Sequence, residues 1–163
     1  MKKLWFLIPC IALILIMGNL WIRHYIKQPK TGYLQEKPII TLTCDNREYR
    51  PEGWCPEWDI LLRNGTGLFE SSSYPDPLSN EVDHPVLSLQ NPKISYRLSA
   101  ASDFIRIERW PTNVIGTLHP ESEPVIFETD TPQTGTFNAE KGFLYCLTAH
   151  WKNGAIHYYF IAK

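Results

Sequence analysis

Three cysteines and two histidines hold most of the reactive side chains whose spacing invites a chemical reading. Cys44 and Cys55 bracket the stretch CDNREYRPEGWC, and Cys146 lies in FLYCLTAHW, with His150 and His157 close behind. A fourth thiol, Cys10, sits inside an apolar N-terminal run. Pro51 and Gly53 can turn the chain back between Cys44 and Cys55, so a disulfide between them is the first expectation. In an oxidising compartment such a bond would stabilise the fold by roughly 3 kcal/mol on the chain-entropy estimate. A bond from either cysteine to Cys146 competes with it, and one thiol is left over in every case.

A metal reading fares worse. Zinc wants four ligands, and neither C-x-x-C nor another zinc spacing occurs. Cys146 and His150 lie four apart in a strand-like run, roughly 13 Å at ~3.3 Å per residue, too far to share one ion. A hairpin turning at Asn153-Gly154 would set His150 opposite His157, with Cβ atoms ~5 Å apart. Two facing imidazoles would be a minimal metal grip or a pH-responsive pair, and two histidines on an outer strand face are the plainer reading. Asp76, Glu81 and Asp83 lack the Asp-x-Asp-x-Asp-Gly order of a calcium loop. No Gly-x-Ser-x-Gly, His-Glu-x-x-His or phosphate-binding glycine loop is present. The sequence therefore predicts a protein that is not an enzyme and carries no cofactor.

Aromatic residues in turn-rich segments give the binding expectation. Tyr49, Trp54, Phe69 and Tyr74 lie in or beside the segments 44–58 and 64–85, where exposed aromatics would suit an envelope protein or glycan partner. Trp58 and Trp110 are expected in the core instead. Asn64-Gly65-Thr66 is a glycosylation sequon by pattern alone. Beyond Ile22 the chain has 14 Lys and Arg against 17 Asp and Glu, with no run of like charge. That balance offers no basic footprint for nucleic acid.

The elements that must carry these residues fall into two kinds. Leu4 to Ile22 is an uncharged apolar run, close to the ~20 residues a helix needs to cross a bilayer. Lys2 and Lys3 precede it, and Trp21 and Tyr25 suit an interface near its end. Met17-Gly18-Asn19 fits a signal-peptidase site poorly, and Leu7-Ile8-Pro9-Cys10 fits a lipoprotein box loosely because of Pro9. The expected arrangement is an uncleaved transmembrane signal anchor at 1–22, a juxtamembrane stalk at 23–38 and an extracytoplasmic domain at 39–163. Arg23, Lys27 and Lys30 argue for the opposite orientation, but long domains translocate largely regardless of charge.

The remainder reads as strands. Ile39–Thr43, Trp58–Leu62 and Pro124–Thr129 are short β-type runs. Ile94, Tyr96 and Leu98 alternate with polar residues, as do Ile105 and Ile107, and residues 99–103 are placed to close a hairpin between them. Asn153-Gly154 separates two further alternating runs. That turn would pair Trp151 with Ile156, Ala149 with Tyr158 and Leu147 with Phe160, on a shared apolar face. No helix of ten residues is suggested beyond residue 22. The fold class is all-β, an immunoglobulin-like β-sandwich of about seven strands behind one N-terminal transmembrane helix.

Two resemblances bear on this reading. ISYRLSAASDFIRIERW and GFLYCLTAHWKNGAIHYYFIAK resemble parts of small membrane-anchored or lipoprotein domains of Gram-positive bacteria, with immunoglobulin-like sandwiches and no assigned function. The resemblance covers about 70 residues, implies fold and location, and carries no catalytic residue. Thr41-Leu42-Thr43-Cys44 resembles the nucleophile strand of sortases, one residue short. A sortase needs a histidine well upstream, where only His24 stands, and its cysteine closes the domain rather than opening it.

Overall fold

The structure is a computed structural model and describes residues 4–71, 76, 78–79, 82–117, 123–126 and 133–163. Side chains are described from Leu13 onward, except at 123–126. Tyr74 and Glu81, both singled out above, lie outside the described residues. The chain divides into two compact units, Met1–Gln35 with Ile60–Leu68, and Glu36–Asp59 with Phe69–Lys163.

In the first unit one helix, α1, spans Leu4–Ile26, four residues beyond the expected anchor boundary. Among the described residues no helix is long and apolar enough to cross a membrane. The segment expected to be a stalk is not a free linker. Lys30 donates its amide to the Leu61 carbonyl at 2.6 Å, and Arg63 returns one to Gln28 at 3.1 Å. The Arg63 guanidinium lies 4.2 Å above the Tyr25 ring.

The second unit is built mostly of antiparallel sheet. Twelve strands occur among the described residues, against the seven expected, several of them only two or three residues long. β1 (Ile40–Cys44), β2 (Arg47–Tyr49), β7 (Lys93–Leu98) and β10 (Thr134–Asn138) form one sheet in the order β10-β7-β1-β2. β3 (Gly53–Trp54), β8 (Phe104–Pro111), β9 (Glu123–Ile126), β11 (Phe143–Trp151) and β12 (Gly154–Ala162) form the other, in the order β3-β12-β11-β8-β9. β6 (Val86–Leu87) adds to β12 in parallel. β4 (Glu57–Leu61) and β5 (Gly67–Ser71), whose residues are divided between the two units, make a separate two-stranded sheet.

The two larger sheets face each other across an apolar core. Ile40, Leu42, Ile94, Tyr96, Leu98 and Phe137 are buried on one side, and Ile105, Ile107, Leu147, Ile156, Tyr158 and Phe160 on the other. Phe137 reaches across to the rings of Tyr145 and Phe160, at 5.8 and 6.3 Å. The Tyr158 hydroxyl donates to the Pro38 carbonyl at 2.7 Å, so that buried polar group is satisfied. Trp58 is fully buried and meets Trp151 edge-on at 6.0 Å, whereas Trp110 is only half-buried.

Two expected pairings are corrected. β7 and β8 do not form a hairpin, because they belong to different sheets. Residues 99–103 carry the chain from one sheet to the other, and partners on both sides hold them. Ser99 donates its amide to Ile39 at 2.9 Å, Asp103 to His150 at 2.7 Å, and the Trp151 indole donates to Ala101 at 2.8 Å. The terminal hairpin keeps its core face but slips by two residues: Trp151 pairs with Gly154, Ala149 with Ile156 and Leu147 with Tyr158. A slip of two preserves the side-chain alternation, so Leu147, Ala149, Trp151, Ile156, Tyr158 and Phe160 still point inward. Lys152 and Asn153 make the turn. Asn153 is 2% exposed and donates its Nδ2 to the Asp59 carbonyl at 2.6 Å, while the Asp59 amide donates to the Asn153 carbonyl at 2.7 Å. This clamp onto β4 overrides the local preference of Asn-Gly for both turn positions. Gly154 adopts φ 143°, and a Cβ there would collide with the Glu57 carbonyl.

Candidate functional site

The stretch CDNREYRPEGWC is not a closed loop. Cys44 ends β1, and Asp45 and Asn46, at φ 49° and 60°, form the two-residue turn into β2. Both residues tolerate positive φ, which is why Asp-Asn can turn a hairpin here. After Pro51 the chain crosses to the other sheet, where Gly53 pairs with Tyr158 and Trp54 with His157. Cys44, Cys55 and Cys146 are all free and buried, so the expected Cys44–Cys55 bond is not present. The two cysteines belong to different sheets, Cys44 at the end of β1 and Cys55 just after β3. Burial raises the pKa of both thiols above the usual value, and the Cys55 thiol donates to the Glu57 carbonyl at 3.2 Å.

The second candidate lies on the outward face of the larger sheet. Cys146, Thr148 and His157 form a connected group. The Thr148 hydroxyl is 3.0 Å from His157 Nδ1, and the Cys146 Sγ is 3.4 Å from that hydroxyl and 3.9 Å from the ring nitrogen. β11 is covered on both faces, because Leu78, Trp54, Trp110, Ile115 and Ile161 pack over Leu144, Cys146 and Tyr159. Burial pushes the Cys146 thiol up to about 11. Burial, and then the charge of His150, holds the His157 pKa below its usual value. The thiol is protonated and the imidazole neutral at pH 7, a poor pairing for nucleophilic attack. His150 does not face His157. It pairs with Ala155, and its ring stacks on Phe104 at 3.9 Å. Burial depresses its pKa as well. Among the described residues no group of three His, Cys, Asp or Glu side chains is placed to hold a metal ion.

Of the aromatic residues expected to form one binding surface, the three described ones differ in placement and exposure. Trp54 is half-buried and packs edge-on against Tyr159 at 6.3 Å, so it serves the second core. Tyr49 is half-buried on β2. Phe69 alone of the described members is strongly exposed, at 61%, on β5.

Solvent reaches instead two polar clefts that the segment 45–50 helps to line. One, of about 410 Å³, collects Asp45, Arg47, Gln90, Lys141 and Lys163. Asp45 is committed to structure there. Its carboxylate accepts the Gln90 amide at 2.6 Å and two Asn91 groups at 2.9 and 3.1 Å, and these bonds, Gln90 first, lower its pKa. The other cleft, of about 380 Å³, collects Arg50, Arg97, Thr41, Ser99 and Gln133. Sequence reasoning missed Arg50 and Arg97 because 46 residues separate them and only the β1–β7 and β1–β2 pairings bring them together. The one available sign was the alternation in KISYRL, which points Lys93, Ser95 and Arg97 outward.

No family model matches this chain, and neither a curated protein nor a solved structure does.

Proposed function

We propose that this chain is a non-catalytic binding module at the bacterial cell envelope, anchored by its N-terminal helix as a single-pass membrane protein. Its β unit is an immunoglobulin-like sandwich on the extracytoplasmic side, and its partner is an envelope protein or glycan. The observation that carries this reading is where the reactive groups lie. Cys44, Cys55 and Cys146 are withdrawn into the protein, whereas the segment after Cys44 contributes Arg47 and Arg50 to the lining of two surface clefts. Protonated buried thiols and a neutral imidazole favour structure over turnover. The uncharged run from Leu4 to Ile22 supports the anchor. A sensor built on His150, His157 and a thiol draws less support, since the two imidazoles do not oppose one another.

Site-specific photo-crosslinking in intact membranes tests the proposal. A photoreactive residue at Arg47 or Glu52 yields a discrete adduct, and one at Lys152, exposed on the β11–β12 turn, does not. Equal or absent adducts at all three positions would remove this surface from the reading.

A further inference from the structure

We infer that the cleft above β1 and β7 binds an oxyanion, the carboxylate or phosphate group of a small solute. The inference rests on the binding-module reading and adds a small-molecule ligand to its envelope partner.

Register fixes the donors. Arg97 lies directly opposite Thr41 on one side and Thr134 on the other. Alternation sends Arg97 outward while Tyr96 and Leu98 are buried. Ser99 is held in place, because its amide donates to the Ile39 carbonyl at 2.9 Å and its Oγ accepts the Ile39 amide at 3.0 Å. With its oxygen accepting, the Ser99 hydroxyl proton is available to the cleft. Arg50 comes from the far side, just past β2.

Charge decides the sign of the ligand. Among the described residues two guanidinium groups line this cleft and no carboxylate does. Among the described residues Arg97 has no ion pair. Arg50 has one loose contact, 3.8 Å to Glu48, with both side chains more than half exposed. A contact of that length and exposure contributes little, so a ligand can displace it. The volume, about 380 Å³, falls within the range of ~300–1,000 Å³ typical of small-molecule sites. Guanidinium forks present parallel N–H donors matched to the paired oxygens of a carboxylate or phosphate, and they accept nothing. A neutral or cationic ligand would leave both arginines unanswered.

The test is a titration of the isotope-labelled full-length chain with inorganic phosphate and, separately, with succinate, at fixed ionic strength held with chloride. Backbone amide resonances are followed by NMR. Saturable shifts at Ile39, Thr41, Arg50, Arg97 and Ser99 in the millimolar range or below support the site, and the tighter probe identifies the group it prefers. Arg97→Gln weakens that binding at least about tenfold, the loss of one charge-assisted contact. Arg97→Lys recovers part of it, and Lys93→Gln, a charge removed from the same strand, leaves it unchanged. Linear, unsaturating shifts with both probes overturn the inference, as does an Arg97→Gln chain that titrates like the wild type. An adduct at Arg47 or Glu52 without a saturable titration would refute the oxyanion site and leave the binding module standing. Failure of both would remove both.

Discussion

Asn153→Asp separates two accounts of the terminal hairpin. If local turn chemistry set the register, Asp-Gly would replace Asn-Gly at almost no cost, since both are favoured in two-residue hairpin turns. The structure predicts otherwise. Asn153 is buried, and its Nδ2 donates to the Asp59 carbonyl at 2.6 Å. An ionised carboxylate there removes the donor and sets a negative oxygen against a carbonyl oxygen. Losing a buried partner costs about 1–3 kcal/mol and more where charge is involved, so about 2–4 kcal/mol is expected at neutral pH. For a unit of this size that is a fall in Tm of roughly 8–16 °C. The sign of the pH dependence follows from the same contact. The folded state raises the pKa of the introduced carboxyl, so the penalty is fully present above that raised value. It fades as pH falls towards the unfolded value of ~3.9, because the protonated group can donate to Asp59 again. The assay is thermal and urea unfolding of wild type and variant from pH 7 to pH 4. A variant within ~0.5 kcal/mol of wild type at pH 7, with a difference that does not change with pH, would refute the clamp.

The sequence made the faces of the strands legible and left their partners obscure. Alternation in KISYRL and in the two terminal runs identifies the residues that face the core between the sheets, because the side-chain period of two survives any even slip in register. The slip itself was invisible, since it is set by Asp59, which lies 94 residues before Asn153. Likewise nothing near SAASD announces that the chain changes sheets there. The contacts that hold it come from Ile39, His150 and Trp151. The Asp45-Asn46 turn was readable by residue type, but the flanking cysteines drew the reading towards a closed loop.

The site was less legible than the fold for a related reason. FLYCLTAHW is apolar on both of its faces, the pattern of a strand covered on two sides, and the structure covers it with Leu78, Trp54, Trp110 and Ile115. Read that way, Cys146 and Trp54 belong to a second core. The oxyanion cleft has no linear signature. Arg50 and Arg97 are ordinary surface arginines in sequence, and they become a pair only through the neighbours of β1.

Two further predictions concern the titratable groups of the β unit. Cys44, Cys55 and Cys146 will resist alkylation in the native chain and react in denaturant, because all three are buried with raised pKa values. Mass spectrometry of the unreduced, alkylated protein will find all three of these thiols labelled, and a Cys44–Cys55 crosslink would overturn the placement of β3. The second prediction is acid sensitivity at His157. Its folded pKa lies below the unfolded value of ~6.5, chiefly through burial. The unfolded chain therefore binds more protons between those two values, and stability must rise with pH across that interval. The contribution is fully present above ~6.5 and is lost as pH falls from there to the folded pKa, below which it changes no further. Glu108 opposes the shift and His150 reinforces it, so His150→Gln should move the lower limit of the window upward. Urea midpoints measured between pH 5 and 8 will show the loss in wild type and a flatter profile in His157→Gln. A wild-type midpoint that rises on acidification through this range would mean that His157 is not held neutral beneath Trp54 and its neighbours.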